Sequence, residues 1–383
     1  MRRDIFSDEH EHFRAEFRRF VKLEIEPKVE AWNRAGVTDR ETWRLCGRQG
    51  YLGASAQQEY GGGGGDFLFE AVIIEELAAV RAHALMLSLH SDICMPYLSQ
   101  YANRDQKERY LVPAISGDCV LALAMTEPGT GSDLANVQTR AILDGDEYVL
   151  DGAKTFISNG QIADLVIVVA KTDPDADPPH SGISLVLVDT DTPGFERGRN
   201  LAKIGLKGQD TSELFFQGCR VPRENLLGLE GQGFKMLMNQ LQQERLSIAI
   251  GSIASCRRSL DDTLAYVKQR KAFGRPIAGF QNTQFKLAEL ATEIEIGEAF
   301  VDKLLTAHVR GDEIVKEVSM AKYWSTDLQK KVSAECLQLH GGYGFMSESP
   351  ISGDYQDAAV QSIYAGTNEI MKVIIARRLG LDG

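Results

Sequence analysis

The spacing of apolar positions changes twice along the chain. Between positions 7 and 117, Phe13, Phe17, Phe20, Val21 and Leu23 to Ile25 recur at roughly helical intervals, and Ala71-Val72-Ile73-Ile74 through Leu77-Ala78 resume them after a break. The break, Tyr60-Gly61-Gly62-Gly63-Gly64-Gly65-Asp66, reads as a flexible loop between helices. No strand precedes it and no Gly-Lys-Ser/Thr follows, so a phosphate loop is not indicated. From Asp118 to about Gly231 short apolar runs alternate with turn residues. Val120 to Met125, Leu165 to Ala170 and Ile183 to Val188 read as strands, while Asp144-Gly145-Asp146, Asp151-Gly152 and the Pro/Asp-rich stretch Thr172 to Pro179 read as turns. From Gly233 onward helical spacing returns in four long segments, 233–272, 282–310, 312–340 and 352–379. The expected fold is multi-domain α+β: an N-terminal all-α domain (1–118), a middle antiparallel β domain (119–231) and a C-terminal four-helix bundle (232–383).

Length agrees with this division, since 383 residues at about 150 per domain give two or three domains. Apolar residues at 43% and charged residues at 25% fit a folded globular chain and not a disordered one. The net charge of -12, from 42 Lys+Arg against 54 Asp+Glu, argues against a nucleic-acid groove. The longest apolar runs fall far below the roughly 18 residues of a membrane span. The start, Met1-Arg2-Arg3-Asp4, lacks an apolar stretch, so no secretory signal is expected. Cys46, Cys94, Cys119, Cys219, Cys256 and Cys336 form no CxxC pair and read as reduced core thiols, with neither a disulfide framework nor a metal site.

Four segments carry candidate chemistry. Met125-Thr126-Glu127-Pro128-Gly129-Thr130-Gly131-Ser132-Asp133 leaves a strand for a turn rich in backbone donors and hydroxyls, which suits an oxygen-rich ligand; taken alone it is only a turn. Phe156-Ile157-Ser158-Asn159-Gly160 reads as a strand end. Lys268-Gln269-Arg270-Lys271-Ala272-Phe273-Gly274-Arg275-Pro276 places basic residues at a helix C-terminus, where they complement the helix dipole. Gln338-Leu339-His340-Gly341-Gly342-Tyr343-Gly344-Phe345 ends a helix in glycines, a C-cap signal.

In their order, with Tyr364-Ala365-Gly366-Thr367-Asn368-Glu369-Ile370 added, these segments resemble the flavin-dependent acyl-CoA dehydrogenase family across essentially the whole chain, most closely its long-chain branch. Thr130, Gly353 and Ala359 depart from the family's usual residues. The resemblance implies FAD, with Met125, Thr126, Gly131 and Ser132 lining the flavin and Phe156, Ile157 and Ser158 backing its ring. It implies that Arg270 and Phe273 reach the FAD of a neighbouring subunit, that Gln281, Gln338, Gly341 and Gly342 contact the nucleotide part, and that Thr367 and Glu369 lie near the pyrophosphate. A homo-oligomer, expected as a tetramer, follows from such shared sites. Ser132, Arg245, Ala365 and Gly366 match substrate contacts. The implied reaction is α,β-dehydrogenation of a long-chain or branched acyl-CoA to the trans-2-enoyl-CoA in fatty acid oxidation, with electrons passed to an electron-transfer flavoprotein. The implied compartment is the cytoplasm, or the mitochondrial matrix for a processed eukaryotic chain.

The catalytic carboxylate of many family members precedes the Gly-Thr of the last motif, where this chain has Ala365. In the long-chain and isovaleryl branches it comes from the first bundle helix, at the position of Glu244. Leu237, Leu241, Glu244, Ile248 and Gly251 step by four, three, four and three, so Glu244 interrupts an apolar row on one helix face. The spacing alone leaves Glu244 open between a general base and a structural carboxylate paired with a neighbouring arginine; alanine at 365 favours the base. By the resemblance, Glu244 takes the α-proton while a hydride leaves the β-carbon for the flavin, and the N–H of Ala365 helps to hold the thioester oxygen. Two alternatives stay open: a silent homologue that binds flavin and acyl-CoA, and an acyl-CoA oxidase, whose extra C-terminal domain is not expected in a chain ending at Gly383.

Overall fold

The computed structural model describes residues 3–381; Met1, Arg2 and Gly383, on which the readings of the two chain ends rest, lie outside them. Seven helices come first: α1 (Asp8–Phe20), α2 (Val29–Ala35), α3 (Arg40–Arg48), α4 (Phe67–Ala79), α5 (Met95–Tyr101), the single turn α6 (Arg104–Gln106) and α7 (Val112–Ser116). Ser7 opens α1 with a capping box shared with His10, and Asp66 caps α4 by accepting from the Leu68 N–H at 2.9 Å. The glycine run before α4 is a loop, but a fastened one. Gly62, Gly63, Gly64 and Gly65 donate to the carbonyls of Gln57, Gly53, Ala56 and Ala54 at 2.8–3.1 Å. A Cβ on Gly63 would stand 2.5 Å from the Ala54 oxygen, so the expected flexibility gives way to a close approach of two backbones.

Eight strands follow: β1 (Leu121–Ala124), β2 (Arg140–Asp144), β3 (Glu147–Ser158), β4 (Leu165–Lys171), β5 (Ile183–Asp189), β6 (Phe195–Asn200), β7 (Thr211–Pro222) and β8 (Leu226–Leu227). They form one sheet in the order β6-β7-β3-β2-β4-β5-β8, with β1 paired to β4. The sheet is mainly antiparallel, as expected, but β4 runs parallel to β1 and touches β2 in parallel. Period-2 alternation divides its two faces. Leu165, Ile167 and Val169 join the core beneath the N-terminal helices, while Val166, Val168 and Ala170 join a second core with Tyr148, Leu150 and Leu214.

The last part holds α8 (Gly233–Gln269), the hairpin β9 (Lys271–Ala272) and β10 (Arg275–Pro276), then α9 (Gln281–Val309), α10 (Val315–His340), α11 (Pro350–Gln361) and α12 (Asn368–Arg378). The fourth expected segment is thus two helices, because Ala365 and Gly366 take φ of 51° and 88°, which no right-handed helix admits. Helix α4 is buried nearly all round. Ile73 and Leu77 enter the core beneath the sheet, and Phe67, Leu68, Ala71, Val72 and Ile74 enter the bundle core with Leu246, Ile250 and Ile294. That shared helix fixes the sheet and the bundle relative to each other. Among the described residues no helix is long and apolar enough to cross a membrane.

Candidate active site

Among the described residues six other than glycine have positive φ, and four of them, Phe156, Asn159, Phe273 and Ala365, belong to the candidate segments. Backbone held in this region costs energy and tends to collect where a site needs a fixed shape. At Phe156 the cause is local. The β3–β7 register slips between Lys154 and Ile157, a bulge that turns the Phe156 ring outward, 66% exposed, while the Ile157 side chain enters the core. What Ile157 can offer a ligand is therefore its backbone.

Beside this bulge lies the turn that follows β1. Thr155 donates its N–H to the Thr126 carbonyl at 2.9 Å, which brings Met125 and Thr126 against the end of β3. The turn is held from below by Lys154, whose side chain is fully buried. Its ammonium donates to the Met125 carbonyl at 3.0 Å and to Glu127 Oε1 at 2.9 Å. Burial lowers the Lys154 pKa to about 8 against the opposing pull of Glu127. Glu127 also accepts from the N–H groups of Gln138 and Thr139 at 2.6 and 2.9 Å, so the pair is neutral and fully bonded. Further along, Gly131 and Ser132 are exposed, and their N–H groups find no acceptor among the described residues.

Glu244 lies in the fourth turn of α8, buried with 6% exposure. Neither carboxyl oxygen has a hydrogen-bond or ion-pair partner among the described residues, and Oε2 is fully enclosed. The structural alternative, a carboxylate bonded to a neighbouring arginine, is not what this side chain does. Burial pushes its pKa up to about 7, against the lowering influence of Arg245 and Lys322. The row read from the sequence is buried at Leu237 and Glu244 and half-open at Leu241, Ile248 and Gly251; the tight seam of α8 is instead Leu246, Ala249, Ile250, Ile253 and Cys256. A π turn, Leu89–Cys94, leads into α5. Cys94 and, one turn on, Tyr97 are pushed up in pKa by burial and then by the Glu244 charge, and the Tyr97 hydroxyl has no partner among the described residues.

The segment between α11 and α12 stands at the same place. A Cβ on Gly366 would lie 2.8 Å from Met371 Cε and 3.8 Å from an Arg245 Nη, so this corner is closed to any side chain. The N–H groups of Ala365 and Gly366 have no acceptor among the described residues. Thr367 caps α12 by accepting from the Ile370 N–H, and Glu369 is exposed in its first turn. Backbone donors without acceptors near a buried, unpartnered carboxylate are the groups that proton removal beside a carbonyl would require.

The remaining candidates gather elsewhere, at the far end of the bundle. A cleft of about 510 Å³ is lined by Tyr266, Arg270, Ile277, His340, Gly341, Gly342 and Tyr343 among others. Tyr266 stacks on His340 with ring centres 4.2 Å apart and donates its hydroxyl to the His340 carbonyl at 3.2 Å, tying α8 to α10. Nothing lies within 4 Å of a Cβ on Gly341 or Gly342, so bare backbone faces open space beside Arg270. Gln281 and Gln338 are exposed at the adjoining helix ends, and Phe273 is 96% exposed on the hairpin.

The sequence reading missed Lys154 and Lys322, both fully buried. A signal existed for each. Lys154 falls on the inward row Tyr148, Leu150, Gly152 of β3, and Lys322 falls one helical turn from Val318 and Thr326 on the buried side of α10.

Comparison with known proteins gives a consistent result. Residues 7–118, 122–219 and 231–380 match the family models for the N-terminal, middle and C-terminal domains of acyl-CoA dehydrogenases. The chain is 49% identical to the mouse (Mus musculus) mitochondrial long-chain specific acyl-CoA dehydrogenase over 380 residues, covering 99% of this chain and 88% of the relative. It is 35% identical to the mitochondrial isovaleryl-CoA dehydrogenase of Pongo abelii, over 98% of this chain and 90% of the relative. The crystal structure of an acyl-CoA dehydrogenase from Geobacillus kaustophilus superposes with a TM-score of 0.96 at 50% identity, covering 98% of both chains.

Proposed function

The chain belongs to the acyl-CoA dehydrogenase family, and from that premise we propose that it dehydrogenates acyl-CoA thioesters at the α,β-bond with Glu244 as the base. The observation that carries this is Glu244 itself, a buried carboxylate without a partner, poised near pH 7 beside the free N–H groups of Ala365 and Gly366. Glu244 removes the α-proton. The Ala365 N–H donates to the thioester oxygen as it gains enolate charge, a role the backbone keeps although the side chain is only a methyl. Gly366 offers the second backbone N–H of the turn to the thioester, and Ser132 and Arg245 border it. Long or branched chains are the expected substrates, supported by the long-chain and isovaleryl relatives.

FAD fits the residues present. Phe156 offers an outward ring, Gly131 and Ser132 offer unused N–H donors, and Met125, Thr126, Ile157 and Ser158 complete the surface around them. When bound, FAD supplies the acceptor for the hydride that leaves the β-carbon. Thr367 and Glu369 stand at the N-terminus of α12, and the cleft at the other end of the bundle, with Arg270, Phe273, Gln281, Gln338, Gly341 and Gly342, would complete the site of a second copy in a homo-oligomer. Arg270 suits phosphate oxygens because its guanidinium presents a planar fork of donors. An electron-transfer flavoprotein is the fitting electron acceptor, and six buried free thiols suit a reducing compartment, the cytoplasm or the mitochondrial matrix.

The test is Glu244→Gln, which keeps shape and hydrogen bonding but removes basicity. The variant should hold FAD and acyl-CoA, yet its anaerobic flavin bleaching should slow by on the order of 100- to 10,000-fold. Bleaching at near wild-type rate would overturn the assignment of the base.

A further inference from the structure

The ammonium of Lys322 is buried beneath the Ala365–Gly366 turn without a carboxylate to neutralise it. Its side chain reaches from α10 to donate to the Gly366 carbonyl at 2.7 Å and to Asn368 Oδ1 at 3.2 Å. Asn368 is in turn fixed by donating to the Tyr323 carbonyl at 3.1 Å and to Asp327 Oδ1 at 3.0 Å. Its own N–H closes the turn on the Ser362 carbonyl at 3.0 Å. No acidic side chain lies within ion-pair distance of Lys322 among the described residues. The charged groups around it are Arg245 and Glu244 on α8, Asp327 on its own helix and Glu369 on α12. Asp327 is already bonded to Lys330 at 3.0 Å, and Glu369 is exposed. Arg245, buried with 5% exposure, likewise makes no ion pair or hydrogen bond among the described residues.

We propose that Lys322 is a positioning residue for this reaction: it locks the turn that presents the Ala365 and Gly366 N–H groups, and its unneutralised charge stabilises the enolate that forms against them. The proposal rests on the reading of Ala365 as the carbonyl-binding donor. Protein with Glu244 ionised carries one net positive charge across Glu244, Arg245 and Lys322. When the α-proton moves from substrate carbon to Glu244, the carbon–hydrogen electron pair stays on the thioester and the protein cluster becomes doubly positive, facing an enolate. With the enolate counted, the net charge of the site is one positive before and after the transfer. What changes is where the negative charge sits, leaving Glu244 for the thioester oxygen at the Ala365–Gly366 turn, and a cation fixed under that turn favours the second position, the differential that speeds a chemical step. The same charge favours ionised Glu244, whose pKa it lowers, and is itself discouraged by burial, which brings Lys322 down to about 8.

The test uses a ligand that becomes an enolate without turnover. Acetoacetyl-CoA has an acidic α-carbon, and its ionised form is read from its absorbance on the holoenzyme. With wild type its ionisation midpoint should lie below the value in free solution. Lys322→Met should raise the bound midpoint by about one pH unit, a tenfold change in ionisation constant, and Lys322→Arg should restore most of it. An unchanged midpoint in Lys322→Met, or Lys322→Arg behaving like Lys322→Met, would overturn the proposal, since a merely structural lysine would alter folding or FAD content and leave the ligand's ionisation alone. If Lys322→Met does not assemble, wild type still decides: a bound midpoint at or above the solution value rules the charge out. Glu244→Gln separates this from the assignment of the base, because a misassigned base leaves that variant turning over while the Lys322 effect on the ligand stands.

Discussion

Two buried lysines hold two turns, and they do so in opposite electrostatic states. Lys154 and Lys322 are both among the largest fully buried side chains, and each donates to a carbonyl of a candidate binding turn, Met125 in one case and Gly366 in the other. Lys154 meets Glu127 at 2.9 Å, and the carboxylate takes two further backbone N–H groups. Among the described residues the Lys322 ammonium meets only a carbonyl and an amide oxygen. The β-sheet turn is therefore built on a closed, neutral pair, whereas the bundle turn is built on an open charge. A binding surface for a cofactor that stays in place asks only for shape. A surface where charge appears and disappears in each turnover profits from a counter-charge already in position.

Unfolding free energies should give the widest separation between the two. Lys154→Met leaves Glu127 buried without its cation and should cost about 3–5 kcal/mol, as breaking one half of a buried pair does. Lys322→Met removes two hydrogen bonds but also an unneutralised buried cation, and should cost about 1 kcal/mol. Equal losses in denaturant titrations would erase the distinction.

Rates against pH give the next separation. Glu244 accepts a proton only when ionised, and burial has raised its pKa to about 7, so kcat/KM should fall as pH drops through that value. Removing the Lys322 charge should move this limb upward by about one unit. Lys154→Met should leave its midpoint in place wherever the holoenzyme forms, since Lys154 is not among the groups that shift Glu244. A limb that moves equally in both variants would point to a general loosening of the fold.

The smallest effect is set by a glycine. A Cβ on Gly131 meets nothing within 4 Å, so Gly131→Ala should change the unfolding free energy by less than about 0.5 kcal/mol. It should still weaken FAD retention, measured as flavin per chain after gel filtration, because the added methyl occupies the approach to the turn. Full retention would remove Gly131 from the cofactor surface.

Much of this architecture was legible beforehand because it lies in periodicity. The inward rows of β4 and β5 and the lengths of α8, α9 and α10 follow from runs visible in the sequence. The burial of Glu244 was legible only in part, since the row that pointed to it is half-open at Leu241, Ile248 and Gly251. The missed features depend on who sits opposite. Parallel pairing of β1 with β4 is a matter of partner choice that alternation does not encode. The last helix looked continuous because Ser362 to Thr367 holds only one glycine, and a left-handed alanine leaves no compositional mark. The two lysines were not singled out, although each stands on a row that burial should have claimed.

Helix α8 has one further consequence, and it belongs to genetics. It runs unbroken for 37 residues, about 55 Å at 1.5 Å per residue, with Glu244 near its start and Arg270 at its end. The two lie roughly 39 Å apart along a rigid rod, farther than an extended dinucleotide reaches. Under the proposed reading, one copy's Arg270 therefore serves a different active site from its own Glu244. Two defective alleles, one lacking the carboxylate and one lacking the guanidinium, do not simply add their damage. In a mixed assembly, one shared site inherits both lesions and the other inherits neither, so a heterozygote carrying two inactive alleles regains part of the activity that neither homozygote has.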